Sequence, residues 1–305
     1  MIRDFTLPIL DAHHHLWNVD GIGHYPWLQD RYDENYFLGD YQCLRTDFLP
    51  PQYHAATEGF DIAGTVHVEA ERSRSQQYAE TAWLTSVSQE YGIPSAIVAH
   101  VGFTQPDRDD VLARHAGNPL VVGIRCKPRT APSADQGVEG RADTLQDHDW
   151  LAGLARLEHH GLSWDLRVPY WHLAEAAAVV RQLPGVPVVL EHCGLPLDRT
   201  PGGLARWSDG LAELADSPHV TVKISELGLR GGRWDAASTI KVVQTVVRTF
   251  GWDRIMFGSN LPVSGLSVTF ANLIDTILRA LADADETQLR ALFADNARRV
   301  YRITD

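Results

Sequence analysis

The chain contains eight short apolar runs that are rich in β-branched residues, and each run ends in polar residues. Because the runs are nearly continuous rather than alternating, they are typical of strands buried on both faces, as in a parallel sheet. The predicted strands are Leu7–His13, Gly64–Val68, Ser95–Val101, Leu120–Ile124, Leu162–Val168, Val186–Leu190, Val220–Ile224 and Arg254–Phe257.

Helical patterns separate most of these strands. In Tyr78–Tyr91 the residues Ala79, Ala82, Trp83 and Val87 form an apolar stripe, and a Gly-Ile-Pro sequence follows as a stop. The other predicted helices are Leu151–His160, His172–Leu183, Leu204–Ala215, Ala236–Phe250, Phe270–Ala282 and Asp285–Tyr301. Eight strands, most of them followed by a helix, predict an α/β fold of the (β/α)8 TIM barrel type. A doubly wound open sheet is the alternative, but it usually has fewer strands and a glycine-rich first turn, which this sequence lacks.

Two long loops interrupt the alternation. The first, at about residues 16–60, is rich in aromatic residues and follows the first strand, so it lies over the catalytic end of a barrel. It predicts a lid or substrate wall, with Trp17 and Trp27 as candidate substrate contacts; a packed loop with its own small core is the alternative. The second long loop is Lys127–Gln146. No linker or repeat divides the chain, so we expect a single domain over residues 1–305.

Composition narrows the class of protein. With 305 residues, 44% of them hydrophobic, the chain is long enough for a large core, and its net charge of -12 argues against binding to nucleic acid or to anionic membranes. No apolar stretch is long enough for a membrane helix, and the first residues do not resemble a secretory signal. The three cysteines are far apart and form neither a disulfide framework nor a zinc pair. We therefore expect a cytoplasmic protein with reduced thiols, and leave open whether it is a homodimer.

The segment Asp11-Ala12-His13-His14-His15 ends the first predicted strand. Alternate residues of a strand point the same way, so His13 and His15 share a face and His14 points to the other. Two imidazoles at this end of a barrel could bind one divalent metal ion. A histidine cluster satisfied by local hydrogen bonds is the alternative.

Further polar residues recur after nearly every predicted strand. They are His67 and Glu69, Arg125 and Lys127, Asp165 and Arg167, Glu191 and His192, Lys223 and Ser225, and Ser259 and Asn260. A single polar residue at a strand end is usually an ordinary loop residue that is solvated or paired. Their recurrence is informative because barrel active sites are built from the loops at this one face.

Five segments, taken in order along the chain, resemble the amidohydrolase superfamily, and specifically its branch that contains fuconolactonases and pyrone-dicarboxylate lactonases. They are Asp11-Ala12-His13-His14-His15-Leu16-Trp17, Gly123-Ile124-Arg125, Val189-Leu190-Glu191-His192-Cys193-Gly194-Leu195-Pro196, Val222-Lys223-Ile224-Ser225 and Met256-Phe257-Gly258-Ser259-Asn260-Leu261-Pro262-Val263. The resemblance implies the same barrel that the strand count predicts.

The resemblance also implies roles for individual residues. His13 and His15 match a motif that holds a divalent metal in some members, and His192 matches a metal ligand or carbonyl-polarising group. Arg125 resembles an arginine that could clamp a substrate carboxylate through two hydrogen bonds. Lys127 and Lys223 are further candidates for contacts with substrate carboxylates. The expected cofactor is zinc or manganese, with a metal-free mechanism as the alternative.

Asn260 departs from the family, which usually places there the aspartate that orients or deprotonates the attacking water. An amide cannot act as a general base near neutral pH. Either Asn260 only ligates or hydrogen-bonds, or the base lies elsewhere, or the chain is not a hydrolase of the usual mechanism. A substitution of aspartate by asparagine, made to trap substrate, is a further alternative. Glu69 and His192 are the candidates to replace it, and Glu69 is also a candidate metal ligand; the alternative for Glu69 is an ordinary carboxylate paired with Arg72 or Arg74.

The sequence therefore predicts an enzyme that opens a sugar-derived or aromatic-derived lactone by attack of an activated water on the carbonyl. A decarboxylase of aromatic acids on the same barrel is the first alternative. A catalytically silent ligand-binding barrel is the second, and amide or ester hydrolysis is a smaller one. In each enzymatic case the partner is a small-molecule substrate.

Overall fold

The structure is a computed structural model that describes residues 5–21, 23–33 and 36–304. Eight parallel strands pair in sequence order, each with the next one along the chain. They are β1 (Ile9–His14), β2 (Ile62–Val68), β3 (Ala96–Ala99), β4 (Val121–Ile124), β5 (Ser163–Leu166), β6 (Val188–Leu190), β7 (Val220–Ile224) and β8 (Ile255–Phe257). All eight predicted strands are confirmed, and the structure is the predicted TIM barrel.

The barrel closes between its last and first strands through the segment that follows β8. His14 forms a parallel bridge with Leu261, and the His15 amide donates to the Leu261 carbonyl at 2.8 Å. The backbone N–H of Asn260 donates to the His13 carbonyl at 2.7 Å. Closure therefore places Asn260 directly beside the backbone of the histidine motif.

Helices lie between the strands and cover the outside of the sheet. They are α1 (Pro26–Gln29), α2 (Pro50–Ala56), α3 (Gln77–Tyr91), α4 (Arg108–Ala116), α5 (His148–Ala155), α6 (Leu157–His160), α7 (Leu173–Val180), α8 (Pro201–Ala215), α9 (Ala236–Phe250), α10 (Phe270–Ala280), α11 (Glu286–Arg290) and α12 (Asn296–Val300). Within the described ranges, no helix is both long and apolar enough to cross a membrane.

Most predicted helices agree with the structure, and the differences have physical reasons. The Ala236–Phe250 prediction is confirmed at both ends. The predicted helix Leu151–His160 is divided at Arg156, and the predicted tail helix contains a π-helical turn at Ala291–Asp295. The sequence analysis missed α4, because it buries only Val111, Leu112 and His115 and so shows a weak apolar period.

The inside of the barrel is filled by small and branched side chains from the strands. Leu10 and Ala12 pack with Val66, Val98 and Met256, and the C-terminal residues Ala294, Ala297 and Tyr301 join the same cluster. A register shift between Asp11 and His14 then changes which side chains of β1 face inward. After this shift His13, rather than His14, contacts Glu191, which follows β6, and Lys223 of β7.

Candidate active site

A cleft opens at the carboxyl ends of the strands. It is lined by His15, Trp27, Tyr36, Phe37, Leu38, Ala70, Glu71, Arg125, Lys127, Arg167, His192, Glu226, Asn260 and Val263. Six of the residues predicted from the sequence line it: His15, Trp27, Arg125, Lys127, His192 and Asn260. The other four, His13, Trp17, Glu69 and Lys223, are buried beneath or beside it.

Three histidines come together at the floor of the cleft. The Nε2 atoms of His13 and His15 are 3.4 Å apart, and the ring centres of His13 and His192 are 4.6 Å apart. The Nδ1 atom of His15 contacts the Val68 carbonyl at 2.7 Å, and Nδ1 of His192 contacts Ser225 Oγ at 2.9 Å. These contacts orient both rings. Burial, reinforced by nearby cationic groups, lowers the pKa of each of the three histidines well below its ordinary value.

Glu191 completes a group that could hold a metal ion. Its Oε1 lies 3.5 Å from His13 Nδ1, and its Oε2 lies 3.7 Å from His192 Nε2. Ligand atoms of His13, Glu191 and His192 all lie within 4.8 Å of one another. Two imidazoles and one carboxylate are a donor set that divalent zinc or manganese accepts, so these residues fit the expected metal. His15 adjoins this group through its contact with His13.

Glu69 is held by two arginines. Its Oε1 accepts from Arg125 Nε at 2.8 Å, and its Oε2 lies 3.3 Å from Arg74 Nη1. Burial alone would raise the pKa of Glu69, but Arg125 and Arg74 outweigh it and hold the pKa well below its usual range. A carboxylate in this state is a poor proton acceptor, and it is not part of the His13–Glu191–His192 group. The geometry therefore favours the ion-pair alternative for Glu69 over the roles of base and ligand.

Arg125 is equally occupied. Besides its bond to Glu69 Oε1, it donates to the Glu69 carbonyl and, at 3.3 Å, to Glu191 Oε2. Its guanidinium fixes Glu191 beside the histidines, and only 4% of its surface is exposed. Few of its N–H groups therefore remain for the predicted pair of hydrogen bonds to a substrate carboxylate.

A contact with substrate would require Lys223 to face the cleft, but the structure places it below the cleft. It is fully buried, forms a 2.7 Å ion pair with Asp165 Oδ2, and lies 3.5 Å from His13 Nδ1. Tyr301 donates to the same Asp165 oxygen at 2.7 Å. Lys223 therefore supports His13 from beneath and does not line the cleft, so its predicted contact with substrate stays a prediction.

Two other cations do face the cleft. Arg167 follows β5 and, among the described residues, forms no salt bridge or hydrogen bond; its guanidinium lies 5.3 Å from the Phe37 ring centre. Lys127 pairs with Glu71. Burial and the neighbouring Arg167 lower the pKa of Lys127 to about 8. Arg167, unpaired by a carboxylate, is thus the better placed group for a substrate anion.

Asn260 and Glu226 meet on another wall of the cleft. The Asn260 amide nitrogen donates to Glu226 Oε2, and Asn260 Oδ1 is buried without a hydrogen-bond partner. Glu226 comes just after β7, next to the Ser225 that contacts His192. Burial raises the pKa of Glu226, although Arg167 and Asn260 lower it in part.

Left-handed backbone is concentrated around the cleft. Glu71, His192, Glu226 and Asn260 all line the cleft, and their φ angles are 58°, 56°, 47° and 53°. Residues other than glycine adopt this conformation at a cost, and such strain clusters at functional sites. The folded structure therefore holds these four side chains in place against their local preference.

The aromatic loop combines both predicted alternatives. Trp17 is only 1% exposed, donates to the Thr46 carbonyl at 2.7 Å and packs in a small core with Tyr25, Leu28 and Tyr41. Neighbouring side chains cover Trp17 and it does not line the cleft, so its predicted contact with substrate stays a prediction without support from this geometry. Trp27, held by a 2.9 Å bond to the Ala70 carbonyl, does line the cleft.

Sequence analysis assigned no role to several residues of this site, although it noted Arg167 and Glu191 among the polar residues that follow strands. The residues without an assigned role are Tyr36, Phe37, Glu71, Arg167, Glu191 and Glu226. Position after a strand was a usable signal for Arg167, Glu191 and Glu226. Nothing in the local sequence distinguished Tyr36 and Phe37 from the other aromatic residues of the loop.

Comparison with known proteins agrees with this geometry. The chain is 30% identical to the uncharacterized protein y4mH of Sinorhizobium fredii, over 97% of this chain and 99% of that one. It is 26% identical to the L-fucono-1,5-lactonase of Burkholderia multivorans, over 97% of this chain and 96% of that one. A crystal structure of a Burkholderia multivorans amidohydrolase with bound HEPES superposes with a TM-score of 0.78 at 25% identity, covering 98% of this chain and all of that one. A second crystal form, also of a Burkholderia multivorans amidohydrolase, contains bound zinc and gives a TM-score of 0.77 at 24% identity over the same 98% and 100%.

The sequence matches the amidohydrolase family over residues 10–303, which is nearly the whole described chain. The cluster of strand-end histidines, the barrel and this match agree. The chain belongs to the amidohydrolase family.

Proposed function

We propose that this protein hydrolyses a lactone that carries a carboxylate. The observation that carries the proposal is one cleft that combines His15 and His192, the carboxylate Glu226 and the unpaired cation Arg167. The similarity to L-fucono-1,5-lactonase along almost the full length of both chains supports lactone opening as the reaction.

The reaction requires a water molecule to attack the lactone carbonyl while negative charge develops on the carbonyl oxygen. His192 lines the cleft, and in the enzyme without a bound metal its Nε2 can stabilise this charge by hydrogen bonding, because Nδ1 already contacts Ser225. Arg167, and secondarily Lys127, would bind the substrate carboxylate and so fix the ring in the cleft. Trp27 and Phe37 supply apolar walls against the ring faces.

We propose that a divalent metal ion is held by His13, Glu191 and His192, with His15 alongside. Such an ion supplies Lewis acidity toward the carbonyl oxygen. Arg125 already contacts Oε2 of the buried Glu191 and so fixes this carboxylate beside the two histidines. The bound zinc in the related crystal form makes zinc the first metal to test.

The proposal is tested with the purified wild-type protein and a panel of lactones. The panel includes neutral sugar lactones and pyrones with carboxylates, and hydrolysis is followed as acid release with a pH indicator while evolved CO2 is measured in parallel. We expect acid release without CO2, with the carboxylate-bearing lactones opened at the higher kcat/KM. Evolution of CO2 without acid release would contradict the proposal and favour decarboxylation.

Metal binding is tested by elemental analysis, which does not depend on activity. We expect His13→Ala and His192→Ala to lose the bound divalent metal and to retain the fold, because residues at this end of a barrel contribute little to the core. His159→Ala, which changes an exposed histidine of α6, is the matched control and should keep the metal. Full lactonase activity in a preparation shown to be metal-free would contradict the proposed metal site but not the proposed lactone hydrolysis.

A further inference from the structure

Lactone hydrolysis requires a group that accepts a proton from the attacking water, and Asn260, which lines the cleft after β8, is an amide that cannot do so. Among the described carboxylates near the cleft, Glu69 and Glu71 are each paired with Arg74 and with a second cation. Glu191 is fully buried and faces Arg125 and two histidines. Glu69 and Glu71 are therefore each held by two cations, and Glu191 does not line the cleft.

Glu226 differs from them in its contacts. Its only hydrogen bond in the described structure is to the neutral amide of Asn260, it forms no salt bridge, and it lines the cleft beside His192 and Arg167. We propose that Glu226 is the general base of this enzyme and that Asn260 positions both the base and the water; this rests on the proposed lactonase function.

The orientation of the Asn260 amide follows from the same contact. An ionised carboxylate can only accept hydrogen bonds, so the amide must turn its NH2 group toward Glu226. This leaves Oδ1 buried and without a partner, although buried polar atoms usually have one. A water that donates one hydrogen to Asn260 Oδ1 and the other to Glu226 would satisfy this oxygen and be held by both side chains.

The proton and electron balance is complete with these groups. Glu226 takes a proton from water as the water oxygen bonds to the carbonyl carbon, and the carbonyl π electrons move to oxygen. When the tetrahedral intermediate collapses, the ring C–O bond breaks, and the departing alkoxide takes the proton back from Glu226. The product is the open-chain hydroxy acid, and Glu226 is again ionised.

Burial raises the pKa of Glu226 toward the range in which a carboxylate is an effective base at neutral pH. The strained φ of 47° at Glu226 and 53° at Asn260 indicates that the fold holds the two residues against their local preference. Both observations agree with a functional pair rather than an incidental surface contact.

The test compares wild type, Glu226→Gln and Glu58→Gln on the lactone that wild type opens fastest, from pH 5 to pH 9. Loss of a general base usually costs about a hundredfold or more, so we expect that fall in kcat for Glu226→Gln, with KM changed only a few-fold and the acidic limb of the pH profile lost. Glu58 is exposed and lies before β2, at the opposite end of the barrel, so Glu58→Gln should match wild type.

Two further variants keep the test independent of folding. Added formate should partly restore the activity of Glu226→Ala by supplying a small carboxylate, and Asn260→Asp should restore activity to Glu226→Gln by placing a carboxylate beside the water. A wild-type rate and an unchanged acidic limb in Glu226→Gln would overturn Glu226 as the base. A wild-type protein that opens no lactone would contradict the proposed function itself, which separates the two failures.

Discussion

Arg167 is the side chain on which the proposed preference for an acidic substrate rests. It follows β5 and faces the cleft, and no described carboxylate pairs with it, whereas Arg125 is bound to Glu69 and Glu191. A guanidinium that is not already paired can form two parallel hydrogen bonds with a carboxylate. We therefore assign the substrate-anion contact to Arg167 rather than to Arg125.

Replacing Arg167 with Gln should raise KM for a carboxylate-bearing lactone by about 10-fold to 100-fold, the scale of one charge-assisted contact. KM for a neutral lactone of similar size should change much less. Steady-state kinetics on the two substrates measure this, with Arg248→Gln on the exposed surface of α9 as the control. Equal losses on both substrates would indicate that Arg167 shapes the cleft and does not bind the anion.

At the scale of elements, a buried carboxylate joins α3 to the end of β2. Glu80 of α3 is only 3% exposed, accepts from the Ala70 amide at 2.8 Å and lies 3.7 Å from His67 Nε2. Burial, and then the nearby Glu69, raise the pKa of Glu80 to about 7. The folded protein thus holds a proton on Glu80 that the unfolded chain releases at lower pH.

This difference makes the packing of α3 depend on pH. A raised pKa in the folded state contributes stability that is complete below the ordinary glutamate pKa of 4.5 and is lost as pH rises through about 7. Relative to Glu80→Gln, wild type should lose on the order of 3 kcal/mol of unfolding free energy over that window, from about 1.4 kcal/mol per pKa unit. Urea denaturation at several pH values between 4.5 and 8 measures this.

The matched control for that series is Glu90→Gln, because Glu90 is an exposed carboxylate on the same helix. Its stability curve should run parallel to that of wild type at every pH. If the Glu80→Gln curve also ran parallel to wild type, Glu80 would be ionised in the folded protein and our interpretation of this contact would be wrong.

At the scale of the whole molecule, the C-terminus supports the active site through the barrel interior. Tyr301 is fully buried within the barrel cluster and donates to Asp165, which pairs with Lys223 beneath His13. A chain of contacts therefore runs from the last helical segment through the barrel to the histidines.

Tyr301→Phe should lower the free energy of unfolding by about 1–2 kcal/mol, because it removes one buried hydrogen bond to a carboxylate. Chemical denaturation checks this. Tyr91→Phe alters a tyrosine that is 44% exposed, so it should leave stability unchanged. An unfolding free energy for Tyr301→Phe equal to that of wild type would show that Lys223 and Ser163 satisfy Asp165 without the tyrosine.

Much of this architecture could be predicted from the chain alone. Apolar runs such as Val220–Ile224 and amphipathic segments such as Ala236–Phe250 are local patterns, and they identified the strands, most helices and hence the barrel. The barrel in turn placed strand-end residues such as His192 and Asn260 at one face, because parallel strands all end there.

The roles of charged residues depended on partners distant in sequence. Glu69 looked like a candidate base until Arg125, 56 residues away, was found bound to it. Glu226 became a candidate only through Asn260, 34 residues further along the chain. The periodicity of the sequence predicts which face of a strand or helix a residue occupies. It does not predict which oppositely charged residue, distant in sequence, will contact that face.

The histidine motif shows where the two kinds of information meet. Strand alternation alone determined that His13 and His15 share a face, and their Nε2 atoms do lie 3.4 Å apart. Whether that face is the inside of the barrel was decided by the register shift between Asp11 and His14, since unbroken alternation from Leu10 and Ala12 would have turned His14 inward instead. Hydrophobic pattern is a property of neighbouring residues, whereas the bulge is stabilised by contacts of Asp11 with Tyr53 and Ser259, which only the folded barrel brings together.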